Sequence, residues 1–385
     1  MTQPQLPIRL SVCIPTHHGR GEVLKEAIDS VLVQFTPTLR EQVQICVSDN
    51  ASEDETQALM ECYIREHPGL FVYLRHPVNR GLVGNLLALV GAAQGEYCWL
   101  FSSDDRMARH GLSEVLAALS QSPMLAGLTV DLSYYDRSMA HRIKDGMPAG
   151  LLPDHPERRQ VFTSPAQIYR ECGSVMGSLS LQVFDRNLWL EAVEEVGEAK
   201  CVTFRYFLYL YLFGRMVKKR PAWLWLPEKL IQSRTDNDTL SQDLNRNALK
   251  YQTTVMEELH RIWGGLFHPA SATCQALMRA NFRSFWNGFA LLSYKSQYAC
   301  GAADEVQALL VWTRCLSFLP AFWITVFPAL LTPSVVLRAV LPPLKRTGWM
   351  SVLRTWKRSV MPQAQSGELM PQAQSSGRLR NQETL

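Results

Sequence analysis

Between Leu10 and Ser102, short contiguous apolar runs alternate with stretches in which apolar residues recur every three or four positions. Leu10-Ser11-Val12-Cys13-Ile14 is a run of the first kind, stopped by Pro15; Val43 to Val47, Phe71 to Leu74 and Tyr97 to Ser102 repeat it. Such runs predict strands buried on both faces, the habit of a parallel sheet. Between them, Glu22 to Gln34 sets Val23, Leu24, Ala27, Ile28, Val31 and Leu32 on one helical face. Ser52 with Glu55 predicts a capping box opening a helix to about His67, and Leu82 to Ala93 predicts a third helix. A fifth strand is expected from Leu128 to Tyr135. This alternation predicts an α/β fold with a mainly parallel sheet and a ligand crevice at the carboxyl ends of its strands.

The polar residues that end these strands sharpen the expectation. Trp99-Leu100-Phe101-Ser102-Ser103 runs abruptly into Asp104 and Asp105. Buried Asp is costly unless it is paired or binds a metal. A solvated turn or a helix N-cap explains the doublet about as well on its own. Two further strands, however, end at the same sheet edge in Pro15-Thr16-His17 and Ser48-Asp49-Asn50. Three polar strand ends on one edge favour a bound ligand.

The ordered motifs Ile14-Pro15-Thr16, Val47-Ser48-Asp49-Asn50-Ala51-Ser52-Glu53-Asp54, Asn79-Arg80-Gly81, Gly95-Glu96-Tyr97 and Ser103-Asp104-Asp105 resemble family 2 glycosyltransferases of the GT-A fold. Within that family they are similar to the bacterial O-antigen branch that includes abequosyltransferases. The resemblance is dense over Leu10 to Met107 and thin beyond. It implies a Rossmann-like GT-A domain with a mixed, mainly parallel sheet flanked by helices, and a nucleotide-sugar donor. By the same resemblance, Pro15 and Thr16 contact base and ribose, Asp49 accepts a hydrogen bond from the base, and Asp104 and Asp105 hold Mg²⁺ or Mn²⁺ against the diphosphate. Ser102 stands where the usual acidic motif has its first Asp, so this cluster carries less charge than the common version.

Other residues are weighed on their chemistry. Arg20 and Arg80 are candidate phosphate contacts, because guanidinium binds phosphate oxygens bidentately. Arg80 is favoured, lying just ahead of a predicted helix N-terminus; Arg20 reads equally as a surface cation. Asn85, one turn into that helix, is expected to face the crevice. His17 and His18 read as loop histidines rather than a metal pair, with His17 placed to stack on the base. Arg234, in Ser233-Arg234-Thr235-Asp236-Asn237-Asp238, is a candidate diphosphate contact by resemblance; the acidic end of that stretch also reads as a cap for a helix from Ser241.

An inverting mechanism needs a base for the acceptor hydroxyl, and no Glu-Asp pair opens the helix expected over Phe204 to Gly214. Glu198 is the candidate catalytic carboxylate, with Glu195 and Asp136 as alternatives; solvated charges at a helix end explain both glutamates as well.

Composition narrows the rest. Of 385 residues, 47% are hydrophobic, ordinary for a globular enzyme. Nine cysteines show no paired or zinc-like spacing, which favours reduced thiols in the cytoplasm. The polar start from Met1 to Pro7 does not read as a signal peptide. A net charge of +4 is too small to argue for nucleic acid. Cys315 to Leu337 carries no charge, and Arg338, Lys345, Arg346, Arg354, Lys357 and Arg358 follow without an acidic residue among them. Interfacial attachment to the inner membrane ranks first, a buried helical subdomain second and a true span third. The expected organisation is a GT-A domain over 1–238, a helical membrane-associating region over 239–360 and a disordered Gln-rich tail over 361–385. The expected function is transfer of a sugar from a nucleotide-sugar, with a divalent cation, to a lipid-linked surface polysaccharide intermediate such as a polyprenyl-diphosphate glycan. A nucleotide- or glycan-binding module partnering another transferase is the alternative. The branch resemblance further implies a 3,6-dideoxyhexose on cytidine diphosphate.

Overall fold

The structure, a computed structural model, describes residues 7–147, 152–235, 238–284, 288, 291–292, 295 and 301–337, with side chains of 238–247 and 283–284 excepted. Ten strands form one sheet: β1 (Leu10–Thr16), β2 (Val43–Asp49), β3 (Phe71–Arg75), β4 (Tyr97–Leu100), β5 (Arg106–Met107), β6 (Gly127–Tyr135), β7 (Arg142–Asp145), β8 (Gln160–Phe162), β9 (Gln182–Asp185) and β10 (Trp223–Arg234). Their order is β3-β2-β1-β4-β9-β6-β10-β5, with β7 on β6 and β8 on β10. The longest ladders are parallel: β1 with β2 and β4, β2 with β3, and β6 with β10. The short pairings are antiparallel, so the sheet is mixed but mainly parallel by length.

Every residue of β1, β2 and β4 is buried, including the polar Ser11 and Gln44 within the otherwise apolar runs. Helices α1 (Gly21–Leu32) and α2 (Pro37–Gln42) follow β1, α3 (Thr56–Glu66) follows β2, α4 (Gly81–Ala92) follows β3 and α5 (Gly111–Gln121) follows β5. The register puts Thr16 beside Asp49 and Asp49 beside Arg75, so three parallel strands end level.

Gly95, in the turn before β4, meets a close approach. Its N–H donates to Ser11 Oγ, and a Cβ there would fall 2.7 Å from Ser11 N and Oγ. Gly95→Ala is expected to cost about 1–3 kcal/mol through forced displacement of β1. An unchanged urea midpoint would contradict this close packing.

Helix α6 (Pro165–Cys172) lies between β8 and β9; beyond β9 come α7 (Arg186–Val196), α8 (Glu198–Cys201) and α9 (Leu208–Lys219), then α10 (Asp238–Phe267) and α11 (Ala272–Ser284). A last group comprises α12 (Ala302–Leu316), a π-helical turn over Phe322–Val326 and α13 (Phe327–Leu331). These helices join the sheet's core: buried side chains form one cluster running from Leu10 to Leu330. The tie is polar as well, because buried Glu258 of α10 accepts the N–H groups of Arg205, Tyr206 and Phe207 ahead of α9.

Several expectations change. No capping box forms at Ser52: its N–H donates to Asp49 Oδ1, and α3 begins only at Thr56, whose N–H donates to Asp54 Oδ1. The helix expected from Phe204 starts at Leu208, since Glu258 holds the preceding three N–H groups in a turn. Cys315 to Leu337 is broken into short turns, and among the described residues no helix is long and apolar enough to cross a membrane. Residues 1–6, Cys300, Asn237, the cationic run from Arg338 to Arg358 and the repeat from Met361 lie outside the described residues. The eight described cysteines are free thiols.

Candidate functional site

The sheet edge at the ends of β1, β2 and β4 gathers most of the residues singled out from the sequence. Asp49 is fully buried at the end of β2. Its Oδ1 accepts from Ser52 N, its Oδ2 accepts from Tyr73 Oη at 2.9 Å, and Arg75 Nε lies 3.6 Å away. This acceptor capacity pushes the Tyr73 phenol well above its ordinary value, after burial. Beside it, Thr16 is buried, and neither Thr16 Oγ1 nor Ser52 Oγ has a hydrogen-bond partner among the described residues. Buried hydroxyls left unpaired are costly and mark a place where a polar ligand belongs.

Asn85 does not open into the crevice. It is buried, its Nδ2 donating to the carbonyls of Thr16 and Ser48 and its Oδ1 accepting from Ser48 Oγ. It thereby gives a side-chain donor to two strand-end carbonyls, that of Thr16 also accepting Asn50 N at 3.0 Å. Ser48 Oγ also lies 3.0 Å from His76 Nε2. Asn50 shapes the neighbouring turn: its Oδ1 accepts Arg80 N and its Nδ2 donates to Asn79 Oδ1, which in turn accepts Gly81 N. Gly81, at φ +68°, needs the left-handed region that glycine enters freely. Arg80 is thus delivered to the N-terminus of α4, where its guanidinium pairs with Glu198 at 3.5 Å.

The acidic doublet sits between the ends of β4 and β10. Backbone pairing of Met107 with Ile231 brings these elements together. Asp104 is buried; its Oδ2 lies 3.0 Å from Arg20 and its Oδ1 accepts from Ser102 Oγ. Asp105 is buried, accepting from Ser180 Oγ at 2.6 Å and from Arg234 N at 3.2 Å. Burial, then repulsion from Asp104, pushes the Asp105 carboxyl up to about 7, against these hydrogen bonds. His17, lowered by burial and by Arg20, stays neutral at physiological pH. Its Nδ1 is 2.9 Å from the His18 carbonyl oxygen.

Arg234 is drawn into the site from β10. Its Nε donates to the Asp104 carbonyl, one terminal nitrogen to the Arg137 carbonyl and the other to Glu26 at 2.6 Å. Glu26 also takes two bonds from Arg106. Burial raises Glu26, but the two guanidiniums outweigh it and hold the carboxyl below its usual range. Ser180, Glu26, Arg106 and Tyr73 were not singled out in the sequence; Ser180 and Glu26 come from distant elements, whereas Arg106 follows Asp105 directly and Tyr73 lies on the strand beside β2.

The alternative bases separate. Asp136 caps its own hairpin turn, and its bond with His141 pulls it down to about 2. Lys219 and Arg215 hold Glu195 below its usual range. Both are poor proton acceptors at neutral pH. Glu198 opens α8 and is exposed, with Arg80 rather than the acidic doublet as its partner.

Residues 11–177 match the model of Glycosyl transferase family 2. This segment is a family 2 glycosyltransferase domain. Abequosyltransferase RfbV of Salmonella typhimurium is 39% identical over 104 residues, 27% of this chain and 30% of that protein. Uncharacterized protein Rv1520 of Mycobacterium tuberculosis is 31% identical over 88 residues, 23% and 25% of the two chains. The chain therefore spans under a third of the length of these curated relatives. Among solved structures, S. aureus TarS 1-349 in complex with UDP superposes with a TM-score of 0.57 at 14% identity, over 81% of both chains. That likeness establishes the shared GT-A fold.

A nucleotide-sugar site of this fold implies a divalent cation, and the donor set tests it. Among the described residues no group of three or more His, Cys, Asp or Glu side chains forms a self-contained metal cage. Mg²⁺ and Mn²⁺ commonly take one or two carboxylates and complete their shell with phosphate oxygens and water. Two buried carboxylates, one raised to about 7 by burial and then by repulsion from the other, fit an ion that arrives with a diphosphate.

Proposed function

We propose that this protein is an inverting glycosyltransferase that moves a sugar from a nucleotide-sugar to a hydroxyl of a lipid-linked, O-antigen-like glycan at the inner face of the cytoplasmic membrane. The observation that carries the reading is the buried Asp104–Asp105 pair, at the same sheet edge as Asp49 and the unpaired hydroxyls of Thr16 and Ser52. A base and ribose are read onto Pro15, Thr16 and Asp49, with His17 alongside, and the diphosphate onto Arg20 and Arg80. Asp104 and Asp105 would hold Mg²⁺ or Mn²⁺, which supplies charge stabilisation for the departing nucleoside diphosphate.

In the transfer, the acceptor oxygen forms a bond to the anomeric carbon as the bond from that carbon to the diphosphate oxygen breaks, in line. The hydroxyl proton goes to a base; Glu198 is the candidate, since Asp136 and Glu195 are held ionised by their partners. Arg20 offsets part of the charge on Asp104. Arg234 positions the acidic turn through its backbone and side-chain bonds, and a remaining guanidinium donor is assigned to the diphosphate.

The test is incubation of the protein with a panel of labelled nucleotide-sugars, Mn²⁺ and membranes bearing lipid-linked acceptors. The reading expects label in the lipid fraction with inverted anomeric configuration. Nucleotide binding without turnover would instead favour the binding-module alternative, and retained configuration would overturn the inverting mechanism.

A further inference from the structure

Seven of the fifteen large apolar side chains that stand exposed among the described residues fall between 306 and 336. Leu310 is 65% exposed, Ile324 75% and Val335 67%, joined by Val306, Trp323 and Leu331. Val306 and Leu310 lie one turn apart on α12 and share a face. Glu305, the neighbour of Val306, accepts Ser334 N at 2.9 Å, which ties the start of α12 to the segment that carries Val335. The opposite face of these elements is occupied: Trp312, Cys315, Leu316, Phe322 and Val326 are buried in the core. The exposed face is therefore an outward surface of a well-packed unit.

We propose that this apolar face, formed by α12, the π-helical turn and α13, is where the protein seats on an anionic phospholipid bilayer. Charge decides between candidate occupants. From Cys315 to Leu337 there is no Asp, Glu, Lys, Arg or His, and the six basic residues from Arg338 to Arg358 follow with no acidic residue among them. A second copy of this chain would offer the uncharged stretch only its own identical stretch and no acidic counterpart for the basic residues that follow it in sequence. A bilayer with anionic headgroups offers an apolar layer and opposite charge together. Trp323 suits the headgroup level, with its indole N–H bonded to the Ser317 carbonyl rather than left dry. The proposal deepens the reading of a lipid-linked acceptor and rests on it for its purpose, though not for its chemistry.

The test is flotation of the full chain with vesicles of phosphatidylcholine alone and of phosphatidylcholine with phosphatidylglycerol, with sizing and nucleoside diphosphate binding measured in parallel. Wild type is expected to float with the anionic vesicles, at least tenfold more than with neutral ones, and to be released by high salt. Leu310→Glu with Ile324→Glu should cut vesicle binding at least tenfold and leave nucleotide binding unchanged. Equal flotation of that variant, or no flotation of wild type, would overturn the proposal. So would a dimer that the variant dissociates without altered flotation. Loss of nucleotide binding in wild type would instead strike the donor-site reading and leave the surface intact.

Discussion

Asp105→Asn is expected to abolish sugar transfer while making the unliganded protein more stable at pH 8. In the folded chain Asp105 keeps its proton up to about 7, whereas an unfolded Asp releases it near 4. As pH rises between these values, the unfolded chain loses its proton first, so stability declines across that window and levels off above it. At pH 8 the buried charge is fully present, and its removal returns about 2–4 kcal/mol. Below pH 4 both forms are neutral and the gain disappears. Asparagine keeps the volume and can still accept from Arg234 N while donating to Ser180 Oγ. Transfer should fall about a thousandfold, the scale of losing a preorganised charge at the departing group. Urea unfolding at pH 4 and pH 8, beside a transfer assay, checks both halves. A variant that is less stable at pH 8, or that retains full activity, would contradict the assignment.

Arg234→Met is expected to lower kcat about a hundredfold with a smaller change in donor KM. The substitution leaves the carbonyls of Asp104 and Arg137 without their donor and removes one partner of Glu26. Glu26 keeps Arg106 and is partly solvated, so the ion pair contributes modestly and the backbone carbonyls dominate a loss of about 2 kcal/mol. Arg234→Lys retains a charge near Glu26 but cannot reproduce a planar fork on three acceptors. It should recover stability more than kcat. If KM for the donor rises in both variants with kcat unchanged, Arg234 acts as a diphosphate contact alone and not as the clamp of the acidic turn.

The parallel half of the fold is legible because its strands are buried on both faces. Largely apolar runs such as Leu10 to Ile14 and Val43 to Val47, each broken by a single polar residue, carry that signal without help from distant residues. The Asp104–Asp105 doublet is legible for the converse reason, as charge placed where a buried strand should continue. What supports the doublet is not legible locally. Ser180, Arg234 and Glu26 come from three elements far apart in sequence, joined only when β10 pairs with β5 and β6. β10 itself runs on to Arg234 past Pro227, with register shifts after Leu226, beyond the apolar stretch of Trp223 to Leu226. The capping box at Ser52 has the right residue types, but Asp49 claims that N–H first. The late start of α9 has a similar origin, in a carboxylate supplied by Glu258 from another helix. Asn85, expected to face the crevice, is instead buried, its donors serving the strand-end carbonyls of Thr16 and Ser48.

The sheet edge carrying Asp49, Asp104 and Asp105 is assigned here as a nucleoside diphosphate site. Calorimetric titration of a nucleoside diphosphate panel with Mn²⁺, into wild type and into the Asp104→Asn/Asp105→Asn double variant, tests this most directly. The expected result is saturable binding of one base class to wild type, weakened by at least a hundredfold in the double variant. Binding of equal strength to both proteins, or no binding to wild type with or without the ion, would contradict it.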